Sequence, residues 1–164
     1  AGRISSWTAG ITCIEVKMDS LGYLFIGTSF GLSLALIPHF ALRKWRFKTA
    51  LKYGWWVYLL GLPAAAVSLA LLLAGKAWYF WLGGFLYLAW AVFGLVVEYA
   101  LKIEWRSPIR PAVFVPYILL YLAMQMFYWF PLARLARPLV YGYAALYVLV
   151  TWLNVTSHQK ATPQ

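Results

Sequence analysis

The stretch "WYFWLGGFLYLAWAVFGLVVEYAL" (residues 78–101) carries one charged residue, Glu98, near its end. About 20 mostly apolar residues are enough to cross a bilayer core as an α-helix. In lipid a helix is favoured because it satisfies every backbone N–H and C=O within its own segment. Four more runs of this kind lie outside it: Leu21 to Leu42, Ala50 or Tyr53 to Ala74, Ala112 to Phe130, and a shorter one from Leu139 to Asn154. The spacing predicts an all-α fold, a polytopic transmembrane helical bundle of about five helices. Short loops join them, so sequence neighbours should pack as antiparallel neighbours.

Composition agrees. Of 164 residues, 64% are hydrophobic, 20% aromatic and 11% charged, with a mean hydropathy of +0.73. A soluble domain is typically about half apolar and about a quarter charged. A soluble fold of this size leaves roughly a third of its surface wet and cannot hide so much apolar area. The formal net charge of +10 would suggest nucleic acid in a soluble protein. Here the cations fall between apolar runs and read as topology signals and headgroup contacts, so no nucleic-acid partner is expected. The single cysteine, Cys13, excludes an internal disulfide and a cysteine metal cluster.

Three regions follow: an N-terminal segment 1–17, a five-helix domain 18–157 and a polar tail 158–164. Residues 1–17 have strand-like alternation and lack a charged n-region before an apolar core, so they do not read as a secretory signal. "MDSLGYLFIG" from Met18 looks like a start, which makes 1–17 either a vector-derived leader or a short extramembrane segment. Cations after the first, third and fifth runs include Arg43, Lys44, Arg46, Lys48, Lys52, Lys102, Arg106, Arg110 and Lys160. The opposite ends hold Arg3, Lys17, Lys76, Arg134 and Arg137. This bias predicts an external N-terminus and a cytoplasmic C-terminus, with Arg134 and Arg137 dissenting. The membrane lipids are the expected partners. Arg43, Lys44, Arg46, Lys48, Arg106 and Arg110 are the candidates for anionic headgroups.

Gly27, Gly31 and Ala35 recur at four-residue spacing, as do Ala66, Ala70 and Ala74. Small-residue faces let helices approach closely. The two faces are expected to meet inside the chain, with a homodimer contact or another membrane subunit as the alternative. Most Trp and Tyr residues fall near run ends, where amphipathic rings favour the headgroup level. Tyr87, Trp90, Tyr121 and Gln125 fall midway along their runs and need hydrogen-bond partners there. They are either interhelical glue or the lining of a ligand-binding cavity.

Glu98 and His39 are the candidates for chemistry, because ionisable groups inside a membrane are costly. With Tyr99 they could converge beside Arg43, Arg46, Arg106 and Arg110, a set suited to acid–base work on a lipid headgroup or to proton coupling. The structural alternative pairs Glu98 with Lys102 four residues on, and Glu104 with Arg106 or Arg110. Trp105 is expected among the headgroups. No metal site, cofactor motif, phosphate loop or hydrolase triad is recognisable. Pro38, Pro63 and Pro116 should kink or end their helices.

About five tryptophan-rich helices, with "YVLVTWLN" at 147–154, resemble the tryptophan-rich sensory protein (translocator protein) family in outline and in its final helix. The Trp- and Pro-rich loop of that family is replaced here by "RKWRFKTALKYGWW". The resemblance implies apolar-ligand binding. Three functional readings follow: a bundle without catalysis that binds lipid or an apolar ligand or serves as a subunit; a small transporter, or its substrate-binding subunit, using Glu98 and Gln125; and an enzyme acting on lipid headgroups through Glu98 and His39.

Overall fold

A computed structural model describes residues 19–103, 105 and 109–157. The 1–17 segment, Glu104, Arg106 and the 158–164 tail therefore lie outside the described residues. The elements are α1 (Ser20–Trp45), α2 (Phe47–Tyr53), α3 (Trp55–Leu59), α4 (Gly61–Leu73), α5 (Trp78–Leu95), a π-helical turn (Val96–Ala100), α6 (Pro111–Leu135) and α7 (Arg137–Thr156). No strand occurs among the described residues. Five helices are long and apolar enough to cross a membrane: α1, α3 with α4, α5 with the π turn, α6 and α7. The chain is a multi-pass integral membrane protein with an all-α bundle fold.

Local chemistry sets the boundaries. Asp19 caps α1, its Oδ1 accepting the Gly22 N–H at 2.9 Å. Pro63 has no N–H to give Leu59, and its ring crowds that carbonyl. The second span accordingly breaks between α3 and α4 at Leu60. α1 and α6 instead continue through Pro38, Pro116 and Pro131. α4 ends in a Schellman turn: Gly75 takes φ +69°, its N–H reaches Leu72 O at 3.0 Å, and the Lys76 N–H reaches Leu71 O at 3.0 Å. That turn delivers Lys76 to Asp19, whose Oδ2 lies 2.6 Å from the ammonium. Pro111 opens α6 at a position where a missing N–H costs nothing.

α5 packs between α4 and α6, and α7 follows α6. α1 closes the ring by contacting both α7 and α4. Phe25, in the first half of α1, meets Phe80 near the start of α5 and Tyr128 near the end of α6. Arg43, at the end of α1, meets Glu98 after α5. The spans thus alternate in direction, as the short loops require.

The close helix contact uses other small residues than those expected. A Cβ on Gly27 or Gly31 would meet nothing within 4 Å, and both glycines and Ala66 face out of the bundle. The tight seam is α4 against α5. There a Cβ on Gly84 would fall 2.1 Å from Ser68 Oγ and 2.4 Å from Ala64 O. Gly61 faces Leu88 and Ala91 in the same seam. Two belt expectations also change: Trp105 and Tyr128 are buried. Trp105 packs on Tyr117 with ring centroids 5.0 Å apart, inside the bundle rather than among headgroups.

Candidate functional site

Arg43 falls on the buried stripe of α1 formed by Leu32, Leu36, His39 and Phe40, which turns its guanidinium inward. It is not a headgroup cation; its side chain is 2% exposed and that of Glu98 5%. The two form a forked pair. Arg43 Nη1 donates to Glu98 Oε1 at 2.7 Å, and Nη2 makes a short contact with Oε2. Tyr58 of α3 completes the set, accepting from Arg43 Nη2 at 2.8 Å and donating to Glu98 Oε2 at 2.7 Å.

Two backbone features permit this geometry. Beyond Leu95 the helix widens into a π turn, with the Leu101 N–H bonded five residues back to Val96 O at 2.8 Å. The added residue per turn rotates Glu98 toward α1. Lys102 lies past the helix end with φ +50°, so the regular i, i+4 relation needed for a Glu98–Lys102 pair is absent. Gly94, one turn before Glu98, makes room for Tyr58: a Cβ there would stand 2.5 Å from Tyr58 Cε1.

His39 lies one turn before Arg43 on the same face and is 1% exposed. Its ring sits 5.2 Å from Phe40 and 5.8 Å from Tyr58, and neither ring nitrogen has a hydrogen-bond partner among the described residues. Tyr99 packs on the other neighbour of the cluster, its ring 6.0 Å from Tyr58. Glu98, His39 and Tyr99 therefore gather around Tyr58, a residue the sequence reading did not single out. Among the described residues no three His, Cys, Asp or Glu side chains come together as a metal site would need.

A second polar set crosses the bundle centre. Ser33 Oγ donates to Tyr143 Oη at 3.1 Å, and Tyr143 Oη to Gln125 Oε1 at 2.5 Å. Gln125 Nε2 donates to Tyr121 Oη at 3.2 Å, which lies 3.2 Å from Thr151 Oγ1. Gln125 thus ties α6 to α7 through Tyr143, whose hydroxyl carries the chain on to α1. Tyr87 donates to Val57 O at 3.1 Å. Trp90 is enclosed by the rings of Tyr58, Tyr87 and Tyr117 at 5.5–5.6 Å. All four residues considered for ligand binding are buried at 0–1% exposure.

The headgroup candidates divide. Arg46, Lys48 and Arg110 are exposed. Lys44 is half-buried, with its ammonium 4.0 Å from the Trp152 ring centroid, tying the end of α1 to α7. Two salt bridges occur among the described residues, Arg43–Glu98 and Lys76–Asp19, and neither uses these rim cations.

Arg43 and Tyr58 could have been found from sequence only by weighing the buried stripe against the cation-rich segment that follows it. Comparison with protein-family models, curated proteins and solved structures gave no match. The likeness of residues 147–154 to the tryptophan-rich sensory proteins rests on those residues alone.

Proposed function

We propose that the chain is a non-catalytic membrane bundle that binds lipid, with Glu98 serving as an internal clamp. The observation that carries this reading is the commitment of the carboxylate. Both Glu98 oxygens accept bonds from Arg43, and one also accepts from Tyr58. A general base needs a lone pair within hydrogen-bond reach of a substrate proton. A carboxylate forked onto a buried guanidinium is aimed inward. The glutamine at the bundle centre is likewise taken up by Tyr143 and Tyr121.

The orientation proposed with it puts the rim of Arg46, Lys48, Lys52, Lys102 and Arg110 in the cytoplasm, where Lys and Arg concentrate. Single cysteines at Lys48 and Lys76 in a Cys13→Ser background should react from opposite sides in intact cells. Labelling of both from one side overturns the orientation.

A second reading, proton-coupled transport, draws on His39, an imidazole without a hydrogen-bond partner among the described residues, beside an intramembrane ion pair. Proteoliposomes loaded with a pH-sensitive dye separate the two. The clamp reading expects the wild-type protein and Glu98→Gln to leave proton leak at the level of empty vesicles. A leak that the folded wild type supports and Glu98→Gln abolishes overturns it in favour of transport.

A further inference from the structure

The loop that the clamp closes carries a surface of its own. Arg43 and Tyr58 both bind Glu98, so residues 44–57 form a loop closed on one carboxylate. Between them lies α2, too short to cross a membrane and broken from its neighbours at Arg46 and Gly54. α2 has three distinct faces. Ala50, 2% exposed, points into the protein. Phe47 and Leu51, four apart, form an exposed apolar stripe. Lys48 and Lys52, also four apart, form an exposed cationic stripe beside it. Exposed Trp45 and Trp55 flank the segment, and Arg46 adds a third cation at its start. Gly54 seats the far end: a Cβ there would lie 3.3 Å from Tyr99 Oη, directly behind the clamp.

An amphipathic helix with adjacent apolar and cationic stripes and flanking tryptophans suits the plane where acyl chains meet headgroups. The geometry points to α2 as an interfacial foot that binds the phosphodiester headgroups of anionic phospholipids. Phe47 and Leu51 enter the acyl region, and Arg46, Lys48 and Lys52 face the phosphates. Among the described residues no carboxylate competes for those three cations. This rests on the lipid-binding reading above and names the lipid class and the segment that takes it.

The test compares the full chain in nanodiscs of phosphatidylcholine alone and of phosphatidylcholine mixed with phosphatidylglycerol, scoring thermal midpoint and the lipids retained in native mass spectra. A surface lysine favours an anionic leaflet by about fivefold. Wild type should retain phosphatidylglycerol over phosphatidylcholine, and Lys48→Gln/Lys52→Gln should lower that preference by about tenfold or more. Arg134→Gln/Arg137→Gln, at the other end of the bundle, should leave it unchanged. Equal retention of both lipids by wild type overturns the proposal, as does an unchanged preference in the lysine variant. An equal thermal gain from inorganic phosphate in phosphatidylcholine discs assigns the site to free phosphate and also overturns it. The clamp is judged separately by proton leak, so either idea can fail while the other stands.

Discussion

Arg43 and Tyr58 lie on different helices, yet Arg43 Nη2 stands 2.8 Å from the Tyr58 hydroxyl and both hold Glu98. The three groups form a closed triangle through the two Nη atoms of Arg43, the Tyr58 hydroxyl and the Glu98 carboxylate, while Arg43 Nε has no partner among the described residues. Desolvating two charges is costly, and forked geometry with an added hydroxyl donor offsets that cost. The stabilisation is thus conditional: it holds only while all partners are present. Such a device fixes where α3 and the π turn stand relative to α1.

Removing one partner should therefore cost more than removing both. Glu98→Gln or Arg43→Leu alone leaves a buried charge uncompensated, and each should destabilise by about 3–5 kcal/mol. Arg43→Leu/Glu98→Leu should recover most of that loss. A double-mutant cycle on thermal or denaturant unfolding in detergent reads the coupling. Additive losses would mean the pair contributes nothing beyond its separate groups.

Glycines at the α4–α5 seam and on the outer face of α1 should respond in opposite ways. At Gly84 a methyl meets a backbone carbonyl as well as Ser68 Oγ, so Gly84→Ala must push the helices apart. Overpacking of this kind costs about 1–3 kcal/mol, and Ser68→Gly should not rescue it because Ala64 O remains. Gly27→Ala and Gly31→Ala meet open space and should be neutral or stabilising by up to about 1 kcal/mol. A lowered midpoint for either, with a change in mass by light scattering, would show that another helix packs on that stripe.

The five spans were legible because length and hydropathy are local properties of the chain. Pro63 pointed to a break near Leu60, but the same rule pointed to Pro38 and Pro116, through which α1 and α6 continue. The partner of Glu98 was not legible. Lys102 satisfies the helical pairing rule on sequence spacing, whereas Arg43 meets Glu98 across 55 residues only after α1 and α5 have packed. The π turn that aims the carboxylate has no signature in "VVEYA" that separates it from an α-helix. Small-residue spacing is similarly ambiguous: Gly27, Gly31 and Ala35 match the pattern as well as Gly61, Ala64 and Ser68 do, and packing alone decides which set is inside.

Acid should loosen the opposite end of the bundle. The Lys76 ammonium, hydrogen-bonded to the Asp19 carboxylate, and then the Gly22 N–H hold this acid below its ordinary range. A lowered folded-state pKa contributes stability that is present above the unfolded value and is lost as pH falls through the folded one. The window lies below about pH 4. Wild type should lose thermal stability in that window more steeply than Asp19→Asn, which keeps a cap oxygen but has no charge to lose. Both ends of the Lys76–Asp19 pair are partly exposed, at 34% and 47%, so the effect at neutral pH should be small and should shrink with added salt. Parallel acid limbs for the two proteins would remove Asp19 from the account of acid sensitivity.

The centre of the bundle offers a test of glue against packing. Gln125 accepts the Tyr143 O–H at its Oε1 and donates from Nε2 to Tyr121, so Gln125→Leu keeps the volume, removes the acceptor of the Tyr143 O–H and leaves Tyr121 Oη with Thr151 alone. Interhelical hydrogen bonds in membranes average about 0.6 kcal/mol, with a maximum near 1.7 kcal/mol. Gln125→Leu should therefore cost about 1–2 kcal/mol. Tyr143→Phe removes the hydroxyl that links Ser33 to Gln125 and should cost about as much. The Gln125→Leu/Tyr143→Phe double variant should cost less than the sum, because the two changes break the same bond. Unfolding of the four proteins in one detergent decides it. Strict additivity would place the stability of this layer in the fit of its rings and not in the chain of hydrogen bonds from Ser33 to Thr151.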